Sequence, residues 1–140
     1  MNNTYFTIDE LCYSDTANRN GIDNTPNEEQ ISNLQRLITF LNPIRECWGS
    51  PILVSSGFRC KELNKIVGGV SDSAHLTGNA VDLYPKNNRF DDFVEFLSMY
   101  LQAEMFDQCI IESSKNNRWV HLGLFNNENE QRRQLFEMNI

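Results

Sequence analysis

The chain has 140 residues, a net charge of −7 and an apolar fraction of 40%, which fits one globular domain spanning residues 1–140. The negative charge disfavours a nucleic-acid partner, because a phosphate backbone needs a cationic surface. No apolar run approaches the ~20 residues that cross a bilayer, so no membrane partner is expected. Met1 to Phe6 contains no basic region followed by an apolar stretch, so synthesis in the cytoplasm without a secretory signal is expected.

In chain order, Thr25-Pro26-Asn27-Glu28 predicts a helix start. Thr25 is placed to cap, Pro26 to fit the first turn and Glu28 to close a capping box. Ile31, Leu34, Leu37, Ile38, Leu41 and Ile44 continue as a helical stripe, with a kink or break expected at Pro43. Ile52 to Ser55 reads as a short strand, Cys60 to Val67 as a short helix stopped by Gly68-Gly69, and Val70 to Thr77 as loop. Ala80 to Tyr84 predicts a strand ended by Pro85, and Asn88 or Arg89 opens a second long helix. Gln108 to Glu112 and Arg118 to Phe125 flank a polar turn and predict a hairpin. Arg132 to Met138 alternates weakly, as an edge strand or a short helix. The order predicts an α+β fold: a small, largely antiparallel sheet with helices packed on one side.

Cys12, Cys47, Cys60 and Cys109 include no CxxC pair, so a thiolate zinc knuckle is not expected. They read as four reduced thiols, mostly small core residues. Two disulfides, or a Cys nucleophile beside a histidine, are weaker alternatives.

The most informative segment is Ser73-Ala74-His75-Leu76-Thr77-Gly78-Asn79-Ala80-Val81-Asp82. It sets an imidazole and a carboxylate on either side of a Gly-containing turn. The only other histidine is His121, in Trp119-Val120-His121-Leu122-Gly123. Two histidines and one carboxylate with a fourth position open form the ligand set of a catalytic zinc site. On a strand, Asp82 shares a face with Ala80 and Tyr84, and His121 with Trp119 and Gly123. Each residue also has a plain structural reading: His75 as a surface or hydrogen-bonded histidine, Asp82 as an arginine's ion-pair partner, His121 as a half-buried cross-strand residue. The small residues Ser73, Ala74, Gly78 and Ala80 favour a packed site with close backbone approach. Arg59 is either a surface arginine at a helix start or a cation that holds a substrate carboxylate or polarises a carbonyl.

The blocks Ser73-x-His75-x-x-Gly78-x-Ala80-x-Asp82, Ser55-Ser56-Gly57-Phe58-Arg59 and Trp119-Val120-His121 resemble peptidase family M15, the zinc D-Ala-D-Ala carboxypeptidases and L-alanyl-D-glutamate endopeptidases. The likeness is to the compact phage-type subgroup. It extends over about 6–125, through Phe6-Thr7-x-x-Glu10-Leu11, Asn24-Thr25-Pro26, Leu63-Asn64, Gly68-Gly69 and Asp107-Gln108. The resemblance implies a hedgehog/D-Ala-D-Ala-peptidase-like fold and one Zn2+ held by His75, Asp82 and His121. It implies that water activated by the ion attacks an amide carbonyl, with Arg59 holding or polarising the substrate. It further implies a peptidoglycan stem peptide as partner. A monomer is expected, and the missing secretory signal fits phage-type release or delivery to the wall. Ser73 and Tyr84 are candidates for supporting contacts around the ligands.

One position departs from the pattern. Many relatives carry a proton acceptor three residues before the last histidine, where this chain has Arg118. Glu112 is the nearest carboxylate in sequence, and the hairpin can bring it beside Trp119 or His121, so it is the expected general base; Glu62 and Asp72 are weaker candidates. Arg118 also leaves open a non-catalytic zinc module that binds peptide or a partner protein.

Overall fold

The computed structural model describes residues 4–125 and 130–140. Two short helices, α1 (Ile8–Cys12) and α2 (Asp15–Arg19), precede the long α3 (Glu28–Trp48). There follow β1 (Ile52–Ser56), α4 (Lys61–Ile66), a 3-10 turn over Ala74–Thr77, β2 (Ala80–Pro85) and α5 (Phe90–Tyr100). A 3-10 turn over Leu101–Ala103 leads into β3 (Gln108–Ser113), β4 (Arg118–Gly123) and β5 (Gln134–Asn139). The strands form one sheet in the order β1-β2-β4-β3-β5. β1–β2, β2–β4 and β3–β4 are antiparallel, and β5 adds to β3 in parallel. The fold is the α+β class expected, and the tail is an edge strand rather than a helix.

Several local expectations need correction. The cap of α3 is Asn27, whose side chain accepts from the Gln30 N–H while the Gln30 side chain accepts from the Asn27 N–H. Thr25 instead donates to Asp23, from its backbone at 3.0 Å and its hydroxyl at 2.6 Å, which turns the chain two residues before the Asn27 cap. Pro43 does not break α3, which runs on to Trp48 and ends at Gly49. Leu41 and Ile44, on either side of the proline, are buried, and that packing offsets the missing backbone hydrogen bond. The predicted loop before β2 contains the 3-10 turn, capped by the Ser73 hydroxyl. Of the cysteines, Cys109 alone is fully buried, Cys47 is exposed, and all four are free thiols. Burial, reinforced by Asp9, pushes the Cys12 thiol up to about 11, and burial pushes Cys109 up to about 12. Neither is a thiolate nucleophile near neutral pH.

The sheet has two unlike faces. Val81, Leu83, Cys109, Val120 and Leu122 join Leu34, Leu37, Leu41 and Ile44 of α3 and Phe93 and Leu97 of α5 in one core. Trp48 closes its edge, with its ring centroid 5.2 Å from that of Phe93. By strand alternation the opposite face carries Asp82, His121, Ile110 and Glu112. The apolar packing thus fixes the register that aims these polar groups away from the core.

A candidate metal and peptide site on the open sheet face

Asp82 pairs directly with His121 across β2 and β4. The 3-10 turn before β2 carries His75 over the same face. His75 Nε2 lies 3.2 Å from Asp82 Oδ1, and His121 Nδ1 lies 3.2 Å from the same oxygen. The donor atoms of the three residues all fall within 4.8 Å of one another. His75 is 2% exposed and Asp82 8%, so neither is a casual surface group.

Gly57 fixes the orientation of His75. Its carbonyl oxygen lies 2.7 Å from His75 Nδ1, and a carbonyl only accepts, so Nδ1 carries the proton. In the neutral ring Nε2 then presents a lone pair toward Asp82 Oδ1, itself an acceptor. Two acceptors at 3.2 Å require a second proton on the ring or a cation between them. This chemistry fits a metal ion, and a carbonyl on the far ring nitrogen is the usual outer support of a ligating histidine.

The turn that supplies this carbonyl depends on glycine. A Cβ at Gly57 would stand 2.1 Å from the Leu11 carbonyl oxygen of α1, to which Phe58 N donates at 2.7 Å. Gly78 shows the close backbone approach expected around His75. Its φ is +79°, and a Cβ there would meet Gln30 O at 2.8 Å.

Arg59 backs the cluster from β1's end. Its backbone N–H donates to His75 O at 3.1 Å, and its Nη2 lies 3.9 Å from Asp82 Oδ2. Burial pulls the Arg59 guanidinium down from its ordinary value, opposed by the charges of Asp82 and Glu112. Burial acts to raise the Asp82 carboxyl, but the His75 and His121 rings and their hydrogen bonds outweigh it and hold the group well below the usual carboxylate range. Asp82 is therefore an anion ready to bind a cation.

Asn64 lacked a role in the sequence reading. It is 4% exposed, accepts from Arg59 Nη1 at 3.0 Å and donates to Val70 O at 2.9 Å. It thereby fixes one arm of Arg59, while Arg59 Nε is buried without a hydrogen-bond partner among the described residues. Its place in the Leu63-Asn64 block of the family resemblance, five residues after Arg59, is the sequence signal that could have found it. Asn64→Ala is expected to cost about 1–3 kcal/mol of stability by leaving buried groups unmatched, measured by urea unfolding.

Glu112 lies on the open face. It pairs with Trp119 across the hairpin, and Ile110 pairs with His121, making Glu112 a diagonal neighbour of His121. Trp119 Nε1 donates to Glu112 Oε1 at 2.6 Å. Arg118 is on the other side of β4, at its end, bonded to Asp91 at 2.9 Å and stacked on Phe90 at 4.5 Å. It neither replaces nor obstructs a group at the triad. Glu62 and Asp72 are exposed, and among the described residues the hydrogen bonds and ion pairs of the triad go to other partners. Ser73 accepts from His75 N at 3.2 Å, and Tyr84 is 37% exposed on Asp82's face.

A family model described as Peptidase M15 matches residues 4–123. The chain belongs to the M15 peptidase family. A comparison with curated proteins gives no match. The family match contains His75, Asp82, His121, Arg59 and Glu112, and stops before β5. No helix among the described residues is long and apolar enough to cross a membrane.

Proposed function

We infer that this M15 chain is a zinc-dependent peptidase that hydrolyses an amide bond in peptidoglycan stem peptides. The observation that carries the reading is the convergence of His75, Asp82 and His121, in which His75 Nε2 and Asp82 Oδ1 face each other at 3.2 Å across a gap that a cation or a second ring proton must fill. His75 Nε2, His121 Nδ1 and the Asp82 carboxylate would hold the ion. Zinc, when bound, supplies Lewis acidity that polarises a carbonyl and lowers the pKa of water toward ~7.

The side chains around the cluster supply the remaining chemistry. Glu112 takes a proton from the attacking water as its oxygen bonds to the scissile carbonyl carbon. The same carboxyl passes the proton to the departing nitrogen as the C–N bond breaks. Trp119 Nε1 donates to one Glu112 oxygen, which limits the rotation of the carboxylate. Arg59 offsets negative charge on the carbonyl oxygen or anchors a substrate carboxylate.

The test is hydrolysis of purified sacculi and synthetic stem peptides by the zinc-loaded protein, with metal content measured in parallel. Bond cleavage and one zinc per chain are expected for the parent protein, and loss of both for His75→Ala. Stoichiometric zinc with no cleavage of either substrate would overturn the reading. Peptide binding without cleavage would instead favour a non-catalytic module, the reading that Arg118 keeps in view.

A further inference from the structure

β5 lies beyond the M15 match yet forms part of the sheet that carries the site. Its parallel register sets Phe136 beside Ile110 and Met138 beside Glu112. Ile110 in turn pairs with His121, and Glu112 with Trp119. By strand alternation Phe136 and Met138 therefore face the same way as the triad. Phe136 is two strand spacings from His121, roughly 10 Å between backbones. Both side chains are exposed, at 37% and 43%, and so offer adjoining apolar surface on the face that carries the polar site.

β5 is also firmly seated. Arg132, just before it, makes two 2.8 Å hydrogen bonds to buried Asp107 and lies 4.7 Å over the Phe125 ring. Gln108 donates to Gln134 at 3.0 Å, and at the other end Ile140 N donates to Ser113 O at 2.8 Å. The strand backbone that carries Phe136 and Met138 is thus held at both ends.

Arg59 reaches Asp82 on β2, and β2 is three strand spacings from β5 in the order β2-β4-β3-β5. Three spacings are roughly 14 Å, about the length of four extended residues.

We propose that Phe136 and Met138 form an apolar subsite that completes a peptide groove running across the strands from Arg59 to β5, and that sets a preference for peptides of about four residues or more over dipeptides. The proposal rests on the peptidase reading for its occupant. An anionic group of the peptide sits by Arg59, the scissile amide over the triad and Glu112, and alanine methyls or methylenes against Phe136 and Met138.

Calorimetric binding of a synthetic stem pentapeptide and of the D-Ala-D-Ala dipeptide to zinc-loaded full chain tests this, with hydrolysis followed alongside. Phe136→Ala is expected to weaken pentapeptide binding about tenfold, the effect of losing one apolar pocket contact. Dipeptide binding and zinc content remain unchanged. Met138→Ala repeats the test should Phe136→Ala misfold, and Leu135→Ala, on the opposite face, leaves both ligands unaffected. Parent-like pentapeptide affinity in both β5 variants would overturn the groove while leaving a cleaving parent protein's peptidase assignment intact. A parent protein that neither binds nor cleaves the pentapeptide would overturn both.

Discussion

Glu112→Gln is expected to lower the rate of peptide hydrolysis by about 10²–10⁴-fold, the usual contribution of a placed general base, while zinc content stays at one per chain. The amide keeps the size of the carboxylate and an oxygen for Trp119 Nε1 to donate to. The packing of the hairpin is therefore preserved, and only the capacity to take a proton is removed. The value of the variant is that it separates chemistry from metal binding, because Glu112 is not among the three residues whose donor atoms converge. Turnover at the parent rate would place the proton acceptor elsewhere. The expected loss falls on kcat, with KM nearly constant, since the carboxylate acts on the water during bond making.

The second large effect concerns a residue with no side chain. Gly57→Ala is expected to destabilise the protein by about 1–3 kcal/mol or more, the range of an overpacked interior site, and to weaken metal binding about 10–100-fold, as loss of an outer support does. The added methyl would stand 2.1 Å from Leu11 O, which is backbone and cannot rotate aside. Either α1 or the turn after β1 must move. Movement of the turn shifts the carbonyl that receives the His75 Nδ1 proton, so stability and metal affinity fall together. Thermal unfolding and a competitive zinc titration on the same variant measure the two effects. A stable variant with parent zinc affinity would show that the turn accommodates the methyl without moving the histidine.

Much of this site was legible because strand alternation is simple. Asp82 and His121 occur in short strands, so the residues that share a face with each followed from a period of two, while their convergence was implied by the family resemblance alone. The pairing of Asp82 with His121 sets both on one face of the sheet. Glu112 was harder: a one-residue slip in the hairpin would have turned it into the core, and the observed Ile110–His121 pair removes that ambiguity. The long helices were visible from their apolar stripes. α1 and α2, with five residues each, are too short for periodicity to register. The cap of α3 was misplaced by two residues because Thr25, Asn27, Glu28 and Gln30 offer overlapping capping patterns.

Other features depend on contacts that sequence order conceals. Gly57 is visible as a glycine, but the obstacle that requires it is the Leu11 carbonyl. Asn64 reads as a polar residue in a short helix until its two hydrogen bonds tie Arg59 to Val70. The orientation of β5 follows from the return of the chain to Asp107, where Arg132 docks before the strand begins. Weak alternation can suggest a strand, but it carries no information about parallel or antiparallel pairing.

The three converging donors also bear on how long the protein lasts. Asp82 is seven residues from His75 and 39 from His121, and they come together only when the 3-10 turn, β2 and β4 are assembled. An extended chain offers an ion no comparable grip. Zinc at a hundredfold excess over its dissociation constant would favour the assembled form by about 2.7 kcal/mol, a substantial part of a small domain's total stability. Scarcity of the ion would then raise the share of chains open to proteolysis. If the proposed zinc site is occupied in this way, the supply of metal would govern abundance as well as turnover.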